Sequence, residues 1–384
     1  MNARRFLLEM FDASLRAVDG RACTRVALAA GIAGPVTLFA IGKAASRMAL
    51  GAHDSLGSSI EATVVITKDG HADAALSRLP HVTLLETAHP VPDARSLAAG
   101  EFLADRIGAL RAESFPVFLV SGGASSLVEQ LRDGVTLDDL IELNRRGLAA
   151  GWNIDRLNAW RAGLSRLKAG GIARLLEGRS ALALFISDVP GDATCVIGSG
   201  LLGVAHGVRD RVARVIVANV DLAVRAAIDA AAANGLRFEA GARRFDGDAV
   251  RVASDFVEAL RATDADGLVW GGESTVTLPT RAGRGGRNTH LALCAARLLR
   301  TNESLTILAG ATDGTDGPTS DAGAIVDACT LERAEIGGCD VERAFREFDS
   351  GLALECAGDL LHTGPTGTNV GDVLIGCKRL PRML

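Results

Sequence analysis

The segment VTLFAIGKAASRMALGA, residues 36–52, reads as a strand, a glycine turn and a helix. Residues 36–41 form an apolar run, and Gly42-Lys43 opens the helical segment behind it. Further apolar runs follow at 62–67, 82–86, 115–120, 182–187 and 214–218. Helical patterns stand between them, including one over 96–110 with Asp93 near its start, and one that runs to Ala233. Strands alternating with helices argue for βαβ units and a parallel sheet. In such sheets ligands bind beyond the carboxyl ends of the strands. Lys43 and the small-residue loop 121–125 belong at that edge.

Working outward, residues 1–20 predict an amphipathic helix that uses Leu7, Leu8, Phe11, Leu15 and Val18. Its acids at Glu9, Asp12 and Asp19 do not suit a secretory signal. Residues 137–177 read as largely helical, with Gly170-Gly171 as a break. Asn234-Gly235 and the polar stretch GARRFDGD suggest a boundary near residue 237, giving domains over 1–236 and 237–384. In the second, strands are expected at 268–271, 275–278, 305–309, 324–326 and 373–376.

The bulk numbers exclude several classes. A chain of 384 residues exceeds the size at which one core keeps growing, so two domains are expected. Its 48% apolar content, 44 glycines and 10 prolines fit a globular protein with many tight turns. The net charge of −5, with acids and bases interspersed, creates no field for nucleic acid or anionic membrane. The basic spots at Arg243-Arg244 and at residues 379–382 are short and read as solvated faces. No run of about twenty apolar residues occurs, so no membrane span is expected. Seven scattered cysteines without a CxxC pair read as small buried hydrophobes of a reducing compartment, and a cytoplasmic protein is expected.

Several loops carry residue types suited to anions and metals. Lys43 joins a mobile positive charge to a helix start. SGGASS, residues 121–126, offers backbone N–H groups and hydroxyls for a phosphate or carboxylate, although a tight turn alone also uses such residues. It has neither the P-loop spacing nor the GxGxxG dinucleotide pattern. Asp188 and Asp192 in SDVPGD suit magnesium or a proton acceptor, and equally a cap or a turn. Glu273 heads an alternating strand as a carboxylate of the buried type, for which Arg284 and Arg287 in GRGGRN are candidate partners. Those arginines are also a candidate phosphate clamp, at another helix start that includes Asn288. Asp313, Asp316 and Asp321 in TDGTDGPTSDAG suit magnesium or a run of turns. LHTGPTGTNVGD, with Thr366 and Asn369, suits hydroxyl or phosphate contacts. His89 and His290 are the histidines near these loops; His53, His71 and His81 read as surface residues.

Taken in order, AIGKAA, HPVPDARS, VSGGASSL, ISDVPGD, GGESTVTL, GRGGRN, TDGTDGPTSDAGA and TGPTGTNVGD resemble the glycerate 2-kinase family, also called the MOFRL family. The likeness runs from the first helix to Gly376. It implies an α/β protein with a Rossmann-like N-terminal domain built on a mainly parallel sheet, a smaller α/β C-terminal domain, and an active-site cleft between them. It also implies transfer of phosphate from ATP, with Mg2+, to the 2-hydroxyl of D-glycerate or a close hydroxy acid. By matching motif, Lys43 and Arg287 become charge-stabilising catalytic residues, and Asp188 a base or metal ligand. Ser121, Gly122, Gly123 and Ser125 become the anion loop, with Glu273, Asn288, Thr366 and Asn369 as further cofactor contacts. Asp188, Asp192 and Asp313 are the metal candidates.

Members of this family have often carried the label hydroxypyruvate reductase, so an NAD(P)H-dependent reductase stays open as an alternative, as does a non-catalytic sensor. Whether the chain forms a homo-oligomer is also left open. The sequence departs from the family pattern in RAGLSRLKAGG, where Gly163 stands for a histidine and Ala169 for a glycine. Leu201 stands for a proline after Ser199-Gly200. Arg161, Ser165 and Lys168 are retained.

Overall fold

The computed structural model describes residues 2–149, 154–204, 207, 209–279 and 281–378, and the chain divides into two compact units. The basic spot at 379–382 lies outside the described residues, as do Trp152 and Asn153 of the predicted helical stretch.

The first unit comprises Asp19–Asn219 and Gly367–Asn369. Its sheet contains β1 (Val36–Ile41), β2 (Ile60–Lys68), β3 (Val82–Thr87), β4 (Phe115–Val120), β5 (Ala181–Ile186) and β6 (Val212–Ala218). They pair in the order β3-β2-β1-β4-β5-β6, parallel throughout. Every residue of β1 is buried, as a strand covered on both faces requires. Phe39 and Phe118 stack at 5.0 Å in the core, with Ile41, Val120, Leu103 and Ile172 around them. The helix Ala94–Gly108 starts where Asp93 accepts hydrogen bonds from the amides of Arg95 and Ser96, while the Ser96 hydroxyl accepts from the Asp93 amide. The break expected at Gly170-Gly171 is present, with Gly170 in the left-handed region between the helices Ile154–Leu164 and Gly171–Leu175.

The second unit comprises Met1–Val18, Val220–Thr366 and Val370–Leu384. Its strands are β7 (Phe238–Ala240), β8 (Phe245–Asp248), β9 (Gly267–Thr275), β10 (Thr306–Ala311), β11 (Gly323–Asp327), β12 (Leu360–Leu361) and β13 (Asp372–Cys377). The order is β12-β11-β10-β13-β9-β7 with β8 beside β9, and parallel and antiparallel pairs are mixed. The two strands expected at 268–271 and 275–278 are one strand ending at Thr275, because β8 supplies the pairing partners of Gly272 to Thr275. Strands β7, β8 and β12 were not expected; they have three, four and two residues.

These units cut the chain differently from a contiguous division at 236/237. The helix Ala3–Ala17 buries Phe6, Leu7, Met10 and Phe11, and this face is satisfied within the mixed-sheet unit. Phe6 meets the Phe238 ring at 6.0 Å, and the Ser14 hydroxyl donates to the Ala223 carbonyl at 2.9 Å. All seven cysteines are free, but Cys195 and Cys329 are exposed rather than buried because both lie on loops.

His53 also departs from the surface reading. It sits half-buried on the helix Ala45–Leu56 with Nε2 2.9 Å from the Thr63 hydroxyl of β2. Burial lowers its pKa, and the Asp54 charge opposes this only in part. The unfolded chain therefore takes the proton first, and stability falls as pH drops through about 6.5, the ordinary histidine value. Denaturant unfolding from pH 7.5 to 5.5 is expected to show this loss, with a smaller slope in His53→Gln.

Candidate active site

In the parallel sheet, β2 and β3 lie on one side of β1, and β5 and β6 lie beyond β4. The winding direction thus reverses between β1 and β4, which is where such sheets leave a crevice at their carboxyl ends. Ile41 pairs with Val120 as the last residue of each strand. Gly42-Lys43 and Ser121-Gly122-Gly123 follow directly. The two loops are tied together: the Lys43 amide donates to the Gly122 carbonyl at 3.0 Å, and the Ala44 amide donates to the Ser121 hydroxyl oxygen at 3.0 Å. Ser121 is fully buried in this role, so it fastens the loop rather than facing a ligand. The helix itself begins at Ala45, two residues beyond Lys43.

The glycines are required by their neighbours. A β-carbon at residue 122 would collide with the Asp188 carboxylate and the Asn369 amide, and Asn369 Nδ2 donates to Asp188 Oδ2 at 3.0 Å. A β-carbon at Gly123, whose φ is +85°, would lie 3.1 Å from Lys43 Cγ and 3.2 Å from the His89 ring. Loops after β1, β3, β4 and β5 therefore bring Lys43, His89, the glycine pair and Asp188 together, with Asn369 arriving from far along the chain. Beside them is a cavity of about 240 Å3, whose lining includes Gly123, Ser125, Asp188, Ser199, Arg161 and Lys168. The Ser125 and Ser199 hydroxyls are 2.6 Å apart. Asp192 is further along the loop after β5, and its Oδ2 accepts from Asn219 at 2.7 Å.

The RAGLSRLKAGG segment, which departs from the family pattern but retains Arg161, Ser165 and Lys168, supplies two cations to this cavity. Lys168 is 1% exposed and forms an ion pair with Glu129, also 1% exposed. Burial lowers the Lys168 pKa, and Glu129 opposes that shift. Burial likewise lowers the Arg161 pKa against the pull of Glu129. The signal available in the sequence was a lysine set within an apolar run, SRLKAGGIARLL.

In the mixed-sheet unit, Arg287 is the first residue of the helix Arg287–Leu298. Its guanidinium forks onto Asp372, with Nε to Oδ2 at 2.6 Å and the Nη2 to Oδ1 at 3.0 Å, and its other amino group pairs with Glu273. Burial works against the charge, but Asp372 and then Glu273 outweigh it, and the guanidinium pKa is raised. Glu273 is exposed, contrary to its expected burial; Asp372 is the buried carboxylate of the pair. Arg284 instead holds the fully buried Asp321 and also Glu355. Asp316 caps the helix, accepting from the amides of Asn288 and Thr289 at 2.9 and 2.7 Å. This helix start is therefore occupied by the protein's own carboxylate, and neither Asp316 nor Asp321 suits magnesium. Asn288 is fully buried, Asp313 accepts from the Thr315 amide at 2.9 Å, and the Thr366 hydroxyl donates to the Thr312 carbonyl.

Comparison with known proteins agrees with the motif order. Residues 6–233 match a family model described as a domain of unknown function, DUF4147, and residues 267–372 match the MOFRL family model. A D-glycerate 2-kinase of Thermotoga maritima is 34% identical, covering 89% of this chain and 90% of that protein. A glycerate 2-kinase of Pyrococcus horikoshii is 31% identical, over 90% of this chain and 87% of its own length. The crystal structure of glycerate kinase from Thermotoga maritima superposes with a TM-score of 0.84 at 31% identity, over 98% of this chain and 99% of that one. The chain belongs to the glycerate 2-kinase family.

Its three departures from the glycerate 2-kinase pattern have different physical weight. Gly163 is exposed, and a β-carbon there would meet nothing within 4 Å. Leu201 is fully buried in the parallel-sheet core. Ala169 has φ +49°, in the left-handed region, and is held there because its amide donates to the Ser199 carbonyl at 3.1 Å. An L-residue in that region costs about 1–2 kcal/mol, whereas a glycine brings about 0.5–1 kcal/mol of extra unfolded-state entropy. Ala169→Gly is thus expected to stabilise the protein by about 0.5–1 kcal/mol, read as an increased denaturant midpoint at unchanged slope.

The two acids on Arg287 should differ sharply. Breaking a buried pair costs about 3–5 kcal/mol, and the part of Arg287 open to water places Asp372→Asn at the low end. An exposed pair contributes about 0–1 kcal/mol, so Glu273→Gln is expected to unfold near the parent midpoint. Equal losses in the two variants would refute this ranking.

Proposed function

We propose that the protein transfers the γ-phosphoryl group of ATP to the 2-hydroxyl of D-glycerate, giving 2-phosphoglycerate. The observation that carries this reading is the convergence of Lys43, the Gly122-Gly123 backbone, Asp188 and Asn369 at the switch point of a parallel sheet. The names of the relatives support the substrate class. Phosphoryl transfer needs little covalent help from a protein; it depends on positioning and on neutralising charge over the transferring group. We assign that neutralisation to Lys43 and Arg287. Arg287 is held by a fork to Asp372, so its orientation is set before any ligand arrives.

Asp188 is the assigned acceptor of the proton from the 2-hydroxyl. The Asn369 amide bond to Oδ2 fixes the plane of that carboxylate, which keeps one rotamer available at the moment of transfer. Magnesium keeps several waters and takes one or two protein carboxylates together with phosphate oxygens. Asp188 and Asp192, both on the loop after β5, fit that modest demand, with Asp313 as a further candidate. Among the described residues no cluster of three metal-ligating side chains is assembled. When bound, the ion would offset the negative charge of the phosphates. A dinucleotide-dependent reductase fits less well, because a GxGxxG fingerprint opened by Gly42 would need glycines where Ala44 and Arg47 stand.

Incubation with Mg-ATP and D-glycerate, followed by phosphorus NMR, is expected to give 2-phosphoglycerate. Finding 3-phosphoglycerate or no phosphorylated acid would overturn the assignment. Lys43→Ala is expected to lower kcat about 10²–10³-fold, as removal of one charge-stabilising donor does, with the unfolding midpoint unchanged. Arg287→Ala alone would leave Asp372 buried and unpaired, so the matching test is the double variant Arg287→Ala with Asp372→Asn.

A further inference from the structure

We infer that Arg161 and Lys168 form the receptor for the acceptor's carboxylate, with Glu129 as the positioning residue behind Lys168. This rests on the kinase reading and extends it to the part of the substrate that does not react. Both cations line the cavity that Asp188 also lines. In a 2-hydroxy acid the carboxylate and the reacting hydroxyl sit on adjacent carbons. Their two partners must therefore share one small cavity, and here they do. Its volume of about 240 Å3 is about eight times the ~30 Å3 share of a water molecule. That admits a three-carbon acid and falls short of the ~300–1,000 Å3 usual for larger ligands.

The fold alone does not ask for Lys168. Replacing a buried ion pair by apolar side chains is often neutral or stabilising, and the surroundings of Lys168 are core residues such as Leu167 and Ile172. The pair is nevertheless built with care. Glu129 Oε1 accepts from the Ser165 hydroxyl and from the Gln130 amide, while Oε2 takes the Lys168 ammonium. Ser165 in turn accepts from the amides of Leu167 and Lys168 at 3.1 and 3.2 Å. Main-chain bonds tie the two segments, Arg166 to Gln130 at 2.7 Å and Arg132 to Leu164 at 2.9 Å. The ammonium thus has a fixed address at the cavity wall.

Arg161 stands one helical turn before Ser165, half-buried at the end of the helix Ile154–Leu164. Arg161 and Lys168 thus place two cationic side chains on the lining of one cavity, with Glu129 paired to Lys168. The guanidinium fork matches the two oxygens of a carboxylate, and the Lys168 ammonium adds a second positive charge to the same lining. The Ser125 and Ser199 hydroxyls, on the same lining, give the rest of a small polar acid its contacts.

The test is calorimetric titration of the full-length protein with D-glycerate, with uncharged glyceramide and, separately, with Mg-ATP. Arg161→Gln is expected to weaken D-glycerate binding about 10–100-fold, the range for losing hydrogen bonds to a charged group. Arg161→Lys should restore part of it, and Mg-ATP affinity should stay within about twofold of the parent. The parent should prefer D-glycerate to glyceramide, and Arg161→Gln should lose that preference. Unchanged D-glycerate affinity, a loss confined to Mg-ATP, or no D-glycerate binding by the parent would each overturn the inference. Turnover separates the two ideas. Arg161-dependent binding without phosphorylation would remove the kinase reading and keep the receptor. Normal turnover with a D-glycerate KM indifferent to Arg161→Gln would do the reverse.

Discussion

The site in the parallel-sheet unit depends on a missing side chain. The Asp188 carboxylate and the Asn369 amide occupy the volume that any β-carbon at residue 122 would need. Close approach of this kind is a use that only glycine permits. Adjacency of β1, β4 and β5 in the sheet then does the rest, since the loops that follow these strands emerge side by side. Lys43 lies against Gly123 from one side and His89 from another. Four separate loops are registered on two backbone units, which is how a site made of loops acquires the rigidity of a sheet.

The parallel sheet was legible in the sequence because its strands are continuous apolar runs, the pattern that burial on both faces imposes. Residues 36–41 and 115–120 coincide with β1 and β4, and the other four runs differ from their strands by a residue or two. Lys43, Gly122 and Asp188 could be placed because each follows such a run. Their meeting with Asn369 could not, since 181 residues separate it from Asp188. The same reason hides the Glu129–Lys168 pair, 39 residues apart. The short strands β7, β8 and β12 were hidden for another reason. FDGD has no apolar alternation, and its strand character comes from pairing with β9.

Residues 271–323 show how far residue types alone mislead. Arg284 and Arg287 lie in the same glycine-rich run, and Asp313, Asp316 and Asp321 in the same aspartate-rich one. Tertiary contacts divide them: Asp316 satisfies orphan amides of a helix start, and Asp321 neutralises Arg284. Arg287 is held by Asp372 from β13, a residue no local pattern linked to it. Carboxylates that could hold magnesium and carboxylates that merely satisfy the fold have the same sequence appearance. The difference lies in contacts that come back from 27 to 85 residues away.

The discontinuous division of the chain has a consequence for biosynthesis. Domains generally fold as units while the chain emerges from the ribosome, and residues 19–219 supply all six strands of the parallel sheet early. The helix Ala3–Ala17 is made first, yet Ala223 and Phe238, which meet it, are made more than two hundred residues later. Its apolar face gains these partners only after they are made. The Asn369 amide arrives later still. A nascent chain ending before it holds the sheet and Asp188 but lacks the bond that orients that carboxylate. Asp188 and Asn369 can meet only once residue 369 has been made, so a product truncated before it lacks this contact.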